Sequence, residues 1–476
     1  MPRLRLLVGL GLLVVASYVG AGSLPEPPGS RSPGQIDEGR ELFTLNFARP
    51  DEAKLNHRLA KQGNGLGPVF NGTSCVGCHR QGGIGGSGGL DSNVVMLGIV
   101  TRPVLNRPVS DVLTSARAVH PGFRQESAIQ VLHHFALGQS EDVAVYDSLR
   151  NSIFERFGGE EVLRSISPVR QQFGDATLEL AQRNTTPLWG LGLIERFRQE
   201  GGEAIRARFA KEQTEKTPWI TGRAPAAKGG QGWYGWRSQM SSLDDFVRSA
   251  CAIEMGLDVP GFDEPENPVA VKSTTDRPAK VGRRQSRRSY DLTEEQCVAL
   301  TSFVRSLPRP RESDEQSVFS SRGKTLFSRI GCADCHAPDL GWVHGLYSDM
   351  LLHDMGDDFS DAQTATPVRT VSTRILNPGG NGYYTVPITE IVEVPTNPQQ
   401  EWKTPPLWGV RDSYPYMHDG RAATLREAIL MHGGEAARAA AMFKSAEADD
   451  QQAIIAFLES LRAPAPEQDA GPVALK

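Results

Sequence analysis

Two pentapeptides carry the same ordered set of reactive groups, Cys75-Val-Gly-Cys-His79 and Cys332-Ala-Asp-Cys-His336. In a CxxCH segment the two thiols can add to the vinyl groups of a haem, and the adjacent imidazole reaches the iron from one face. The pattern predicts two covalently bound c-type haems. Cys75, Cys78, Cys332 and Cys335 are the attachment points, and His79 and His336 the proximal iron ligands. Zinc is the rival. A structural zinc ion needs four ligands, often pooled from two CxxC pairs or from one pair and a later pair of histidines. Here each pair is followed at once by a histidine of its own. A thioredoxin-like redox pair requires neither that histidine nor a second copy.

Distal ligands decide what each iron can do. Two strong protein ligands favour plain electron transfer, whereas an open face can bind peroxide or oxygen. The other histidines are 57, 120, 133, 134, 344, 353, 418 and 432. His432 ends the amphipathic stretch TLREAILMH, and Gly433-Gly434 after it frees backbone space at a haem face. Met417, His418 and Met431 share that segment. Cys251 and Cys297 form either a disulfide or two buried thiols. The segment GGIGGSGG (82–89) contains a formal GxGxxG, but it follows no strand and opens no helix. It reads as a loop that lets chain or substrate approach a haem edge.

The elements that must position these groups occur twice in one order. Gly39-Arg-Glu-Leu-Phe43 is echoed by Gly323-Lys-Thr-Leu-Phe327, and the two CxxCH segments follow. Thr186-Pro-Leu-Trp-Gly190 is echoed by Pro405-Pro-Leu-Trp-Gly409, and TEEQCVALTSFVRSL (293–307) by EADDQQAIIAFLESL (447–461). In the last pair Leu300, Phe303, Val304 and Leu307 share one helical face, as do Ile454, Phe457, Leu458 and Leu461. A proline follows each, at Pro308 and Pro464. This order implies a mainly α fold, with two cytochrome c-like haem domains from an internal duplication. Cys75 to Leu307 spans 232 positions and Cys332 to Leu461 only 129, so the first half carries insertions. Residues 91–106 read as a strand or hairpin, 259–290 as a surface excursion, and 363–400 as a β-ribbon around an Asn-Pro-Gly-Gly-Asn-Gly turn.

The domain boundaries follow. Residues 1–21 form a signal peptide with Arg3 and Arg5, an apolar Leu6–Val19 run and cleavage near Ala21. Residues 22–35 are a disordered leader, 36–310 the first domain, 311–464 the second and 465–476 a tail. The signal places the protein in the periplasm or otherwise outside the cytoplasm, with no membrane span in the mature chain. A net charge of -5 over 476 residues, without long runs of one sign, excludes nucleic acid as a partner.

Taken together, GLGPVFNGTSCVGCH, RNTTPLWGLGLIE, GWYGWR, CADCH, YSDMLLHDMGDDFSDA, EWKTPPLWGV, MHDGRAATLREAILMHGGEA and FLESL resemble the di-haem oxidoreductases. That family is related to the bacterial di-haem cytochrome c peroxidases and to the di-haem enzyme that matures tryptophan tryptophylquinone. The resemblance runs from about residue 36 to 463. It implies an enzyme that takes electrons from a small donor protein, a cytochrome or a cupredoxin, at the second haem. It then passes them to the first haem, where peroxide or a small substrate reacts. The peroxidase relatives place a distal methionine fourteen positions after the His of an HDG motif. Counting from His418, that position here is His432, so the second haem departs towards bis-His ligation by His336 and His432, with Met431 the competing ligand. At the first haem the relatives use a Gln and a Glu to move peroxide protons. Glu195 is the nearest match, and His133 is the residue that could instead close this face, with His120 a weaker one. Trp189, Trp408 or Trp236 would relay electrons between the haems. A calcium ion between the halves would draw on Asn184 and Thr404. Two other outcomes fit the same motifs: a non-catalytic electron carrier with both haems six-coordinate, and a high-valent iron oxidase or oxygenase of a protein or organic substrate.

Overall fold

The computed structural model describes residues 33–48, 65–100, 109–124, 128–161, 168–269, 290–313, 317–361 and 398–465, and the backbone of 369–376 and 386–393. The signal peptide, most of the leader, His57, residues 270–289 of the expected excursion, the 377–382 turn and residues 466–476 lie outside the described residues.

The helices of seven residues or more are α1 (Pro33–Thr44), α2 (Val109–Arg117), α3 (Ser140–Arg156), α4 (Leu191–Phe197) and α5 (Glu203–Lys216). They continue with α6 (Leu243–Met255), α7 (Glu294–Ser306), α8 (Val318–Arg329), α9 (Leu425–Met431), α10 (Ala437–Ser445) and α11 (Ala448–Glu459). The fold is mainly α, as expected. Helix α1 starts at Pro33, inside the segment read as a disordered leader. Proline is well suited to a first helical turn, where its missing N–H would have no partner anyway.

The sequence repeat is matched by a repeated crossing. Helix α1 packs on α7, and α8 on α11. A Cβ on Gly39 would collide with the Ala299 carbonyl, and one on Gly323 with the Ala453 carbonyl. Only glycine lets these backbones meet so closely. The Phe43 and Phe303 rings then stand 5.2 Å apart, and the equivalent Phe327 and Phe457 rings 5.3 Å apart. Helix α7 opens with a reciprocal cap. The Thr293 hydroxyl accepts from the Gln296 N–H while the Gln296 side chain accepts from the Thr293 N–H.

The excess of the first half is largely one antiparallel sheet with its own core. Its strands are β1 (Val94–Ile99), β2 (Ile129–Val131), β3 (Val169–Phe173) and β4 (Ala176–Arg183), in the spatial order β2-β1-β4-β3. Strand β1 therefore belongs to a sheet whose partners come from distant sequence, and is not half of a local hairpin. Val95, Leu97, Leu178 and Leu180 bury against Phe123, Phe154 and Phe157, and each such side chain contributes about 1.5–3 kcal/mol. In the second half, β5 (Leu352–Asp354) pairs with β8 (Glu401–Lys403). Between them, β6 (Arg369–Leu376) and β7 (Val386–Glu393) form the expected antiparallel ribbon.

The halves are not separately packed. The core around α1, α6 and α7 takes in Leu340, Val343, Leu346, Met350 and Trp408 from the second half. Among the described residues no helix is long and apolar enough to cross a membrane.

Candidate functional site

Both CxxCH segments close on themselves in the same way. The His79 N–H donates to the Cys75 carbonyl and the His336 N–H to the Cys332 carbonyl, each at 2.9 Å. Each imidazole then uses Nδ1 on a backbone carbonyl: His79 on Gly86 at 3.1 Å and His336 on Tyr347 at 3.0 Å. This holds the ring and leaves Nε2 to bind a metal, the usual arrangement around a ligating histidine. Gly86 belongs to the glycine loop, whose Gly85 N–H also donates to the His79 carbonyl at 3.0 Å. That loop serves the histidine rather than a nucleotide. Burial lowers the pKa of both His79 and His336 to about 4, so both rings are neutral and free to act as ligands.

Opposite His336 stands His432, the residue that caps the end of α9. Its Nδ1 donates to the Ala428 carbonyl at 2.7 Å, and burial keeps this ring neutral too. The His336 and His432 ring centroids are 6.4 Å apart. A metal–imidazole bond of about 2.0–2.1 Å on each side, plus the half-widths of two rings, requires about that separation. Both rings line a cavity of about 500 Å³ that also contains Cys332, Cys335, Phe327, Leu425 and Leu458. Two attachment cysteines, two opposed imidazoles and an apolar wall are the donor set and lining that a haem requires, so these residues fit the group.

The first CxxCH is not closed in the same manner. His133 donates from Nε2–H to the Ile253 carbonyl at 2.8 Å. His120 accepts from the Gly122 N–H at 3.2 Å, and His134 donates to the Asn93 carbonyl at 2.9 Å. His344 is exposed beside Asp339, and His418 stacks on Trp402 with centroids 3.5 Å apart. Among the described residues, no second imidazole is set against His79. Glu195 is buried in an ion pair with Arg305 of α7.

The carboxyl that does adjoin the first CxxCH is Glu254, which sequence reasoning missed. It lies in the last turn of α6, and its Oε2 accepts from the Asn71 side-chain amide at 2.6 Å. Its carbonyl accepts from the Asn71 N–H at 2.7 Å, and the neighbouring Gly72 lies against the Cys78 sulfur. Burial raises its pKa to about 7. The available signal was a lone acid in the apolar run ACAIEM. Cys251 and Cys297 are two free, buried thiols, so the disulfide alternative does not hold.

Trp189 and Trp408 meet where the halves join. A Cβ on Gly190 would strike the Trp408 ring, and one on Gly409 the Trp189 ring; both glycines have positive φ, at 72° and 74°. Trp189 donates to the Ile84 carbonyl at 3.0 Å, and both tryptophans line the cavity. Trp236 lines it as well and donates to the Asn184 carbonyl at 2.8 Å. Asn184 and Thr404 share the same wall, but the Asn184 amide donates to the Gly88 carbonyl and to Asn93 Oδ1.

Beside Cys335 lies a buried ionic cluster. His353 Nε2 donates to Asp349 at 2.9 Å and its Nδ1 to Glu435 at 2.7 Å, 3.8 Å from the Cys335 sulfur. Burial alone would lower the His353 pKa, but the adjacent Asp349 carboxylate raises it well above the usual value. Cys335, Asp349 and His353 are close enough to share a metal ion. With both ring nitrogens donating to carboxylates, His353 has no lone pair for one.

The chain thus carries two like-built CxxCH turns, one faced by a second histidine and one beside a carboxyl of raised pKa. Residues 395–461 match the family described as "Di-haem oxidoreductase, putative peroxidase". It is similar to hydrazine synthase subunit gamma of Kuenenia stuttgartiensis, at 25% identity over 216 residues, which are 42% of this chain and 58% of that protein. The chain thus spans less than two thirds of the curated relative. Among solved structures it is similar to a Kuenenia stuttgartiensis hydrazine synthase pressurised with xenon, at 22% identity and a TM-score of 0.24. That match covers 36% of this chain and 57% of the other. A MauG-like protein associated with microbial copper homeostasis matches at 19% identity and a TM-score of 0.21, over 35% and 52% of the two chains.

Proposed function

We propose that this chain is an exported di-haem enzyme that reduces peroxide with electrons from a small redox protein. Cys75 and Cys78 would hold one haem covalently with His79 on its iron; Cys332 and Cys335 would hold the other with His336 and His432. The groups would supply electron storage and, at the first site, a face open to substrate. The observation that carries the reading is the asymmetry between the sites. His336 faces His432, which suits electron entry, whereas His79 faces no second imidazole among the described residues.

The protein's own groups account for the rest. Glu254, with a pKa near 7, can take a proton from peroxide and return it to the departing oxygen, which is general acid–base work at the pH where it is needed. Two electrons and two protons convert one peroxide into two waters. Trp189 and Trp408, packed against each other's glycine, offer an aromatic route between the halves. A calcium ion between the halves would draw on Asn184 and Thr404, which share the cavity wall; with the Asn184 amide nitrogen donating elsewhere, Oδ1 is the ligand atom this side chain would offer.

The test is steady-state oxidation of a reduced small cytochrome or cupredoxin by the purified, haem-loaded protein. Turnover that requires peroxide supports the proposal. A prereduced, fully loaded protein that leaves peroxide untouched would defeat it.

A further inference from the structure

His432 ends α9, and the loop that follows it bears no side chain until Glu435. Gly433 and Gly434 press their bare backbone onto residues 354–356, where a Cβ on Gly434 would collide with the Asp354 carbonyl. That surface adds no side-chain anchor. Glu435 supplies the anchor: Oε2 accepts from His353 Nδ1 at 2.7 Å and from the Thr221 N–H at 3.0 Å, and Oε1 from the Thr221 hydroxyl at 2.6 Å.

His353 is fixed at its other end. Its Nε2 donates to Asp349, which also accepts from Gln213 at 3.0 Å and whose own N–H donates to the Cys335 carbonyl at 3.0 Å. His353 is 3% exposed and Asp349 0%. One imidazolium therefore ties the segment bearing the proximal histidine to the loop bearing the distal one, on the side where Cys335 lies. A buried ion pair costs desolvation and is weak evidence for stability alone, so its use here is geometric.

We propose that His353, clamped between Asp349 and Glu435, is a positioning residue that latches the loop after His432 and so keeps that imidazole in the ligand position. The proposal rests on the reading of His432 as a distal ligand. The latch acts through Glu435, and it governs how readily the second haem exchanges a ligand.

The test uses the full chain carrying both haems, with the variants Glu435→Gln, Thr221→Val and His432→Ala. The readouts are haem content per chain, ferric paramagnetic resonance and carbon monoxide binding to the reduced protein. Glu435→Gln should raise the carbon monoxide-binding fraction of the second haem at least tenfold with haem content unchanged. Thr221→Val should shift it less, in the same direction. Wild-type spectra and carbon monoxide binding in both variants would overturn the latch while leaving the ligand in place. Should His432→Ala itself leave the wild-type spectrum unaltered, the ligand reading fails and the latch falls with it.

Discussion

Glu254 acquires its raised pKa from burial at the end of α6, moderated by the Asn71 amide. Only its ionised form can take the first proton from peroxide. Turnover should therefore rise with pH through about 7 and level off above it. Glu254→Gln should remove the ascending limb and cost about 10²-fold or more in rate; a variant that keeps the wild-type pH–rate profile would exclude this carboxyl. Cys332→Ala combined with Cys335→Ala should leave the first site intact and halve the covalent haem per chain, read by absorbance after acid–acetone extraction. The CxxCH residues could be read from the chain because all their parts are contiguous. Glu254 and His353 could not, since their meaning depends on Asn71, 183 positions away, and on Glu435, 82 positions away. The pairing of Glu195 with Arg305, 110 positions later, is out of sight in the sequence for the same reason.

Among the elements, the paired crossings α1–α7 and α8–α11 rest on one atom each, the absent Cβ of Gly39 and of Gly323. Gly39→Ala and Gly323→Ala should each force the helices apart and destabilise by about 1–3 kcal/mol, the usual cost of overpacking. Denaturant titration measures this, and an unchanged midpoint for either would mean that the crossing does not carry the packing. These helices were legible because their apolar residues recur at helical spacing on one face. The inserted sheet was not. Residues 91–106 show only β-branched content, and nothing in them names β2 and β4 as neighbours. Register between distant strands is a property of the folded whole, set by which faces can be buried together.

For the molecule as a whole, the shared core makes the two halves one device. Trp189 stands over Gly409 and Trp408 over Gly190, so a change in either ring reaches both sides of the junction. Trp408→Phe should slow peroxide-dependent donor oxidation while leaving haem content and carbon monoxide binding unaltered; an undiminished rate would take this pair out of the electron route. Under the proposed function, the asymmetry between the His79 and His336 sites would separate a catalyst from a passive carrier. Paramagnetic resonance of the ferric, fully loaded protein addresses it most directly. The account predicts one low-spin signal of bis-imidazole type, lost in His432→Ala, beside a second haem that is high-spin or takes up cyanide. Two low-spin haems that both refuse cyanide would contradict it.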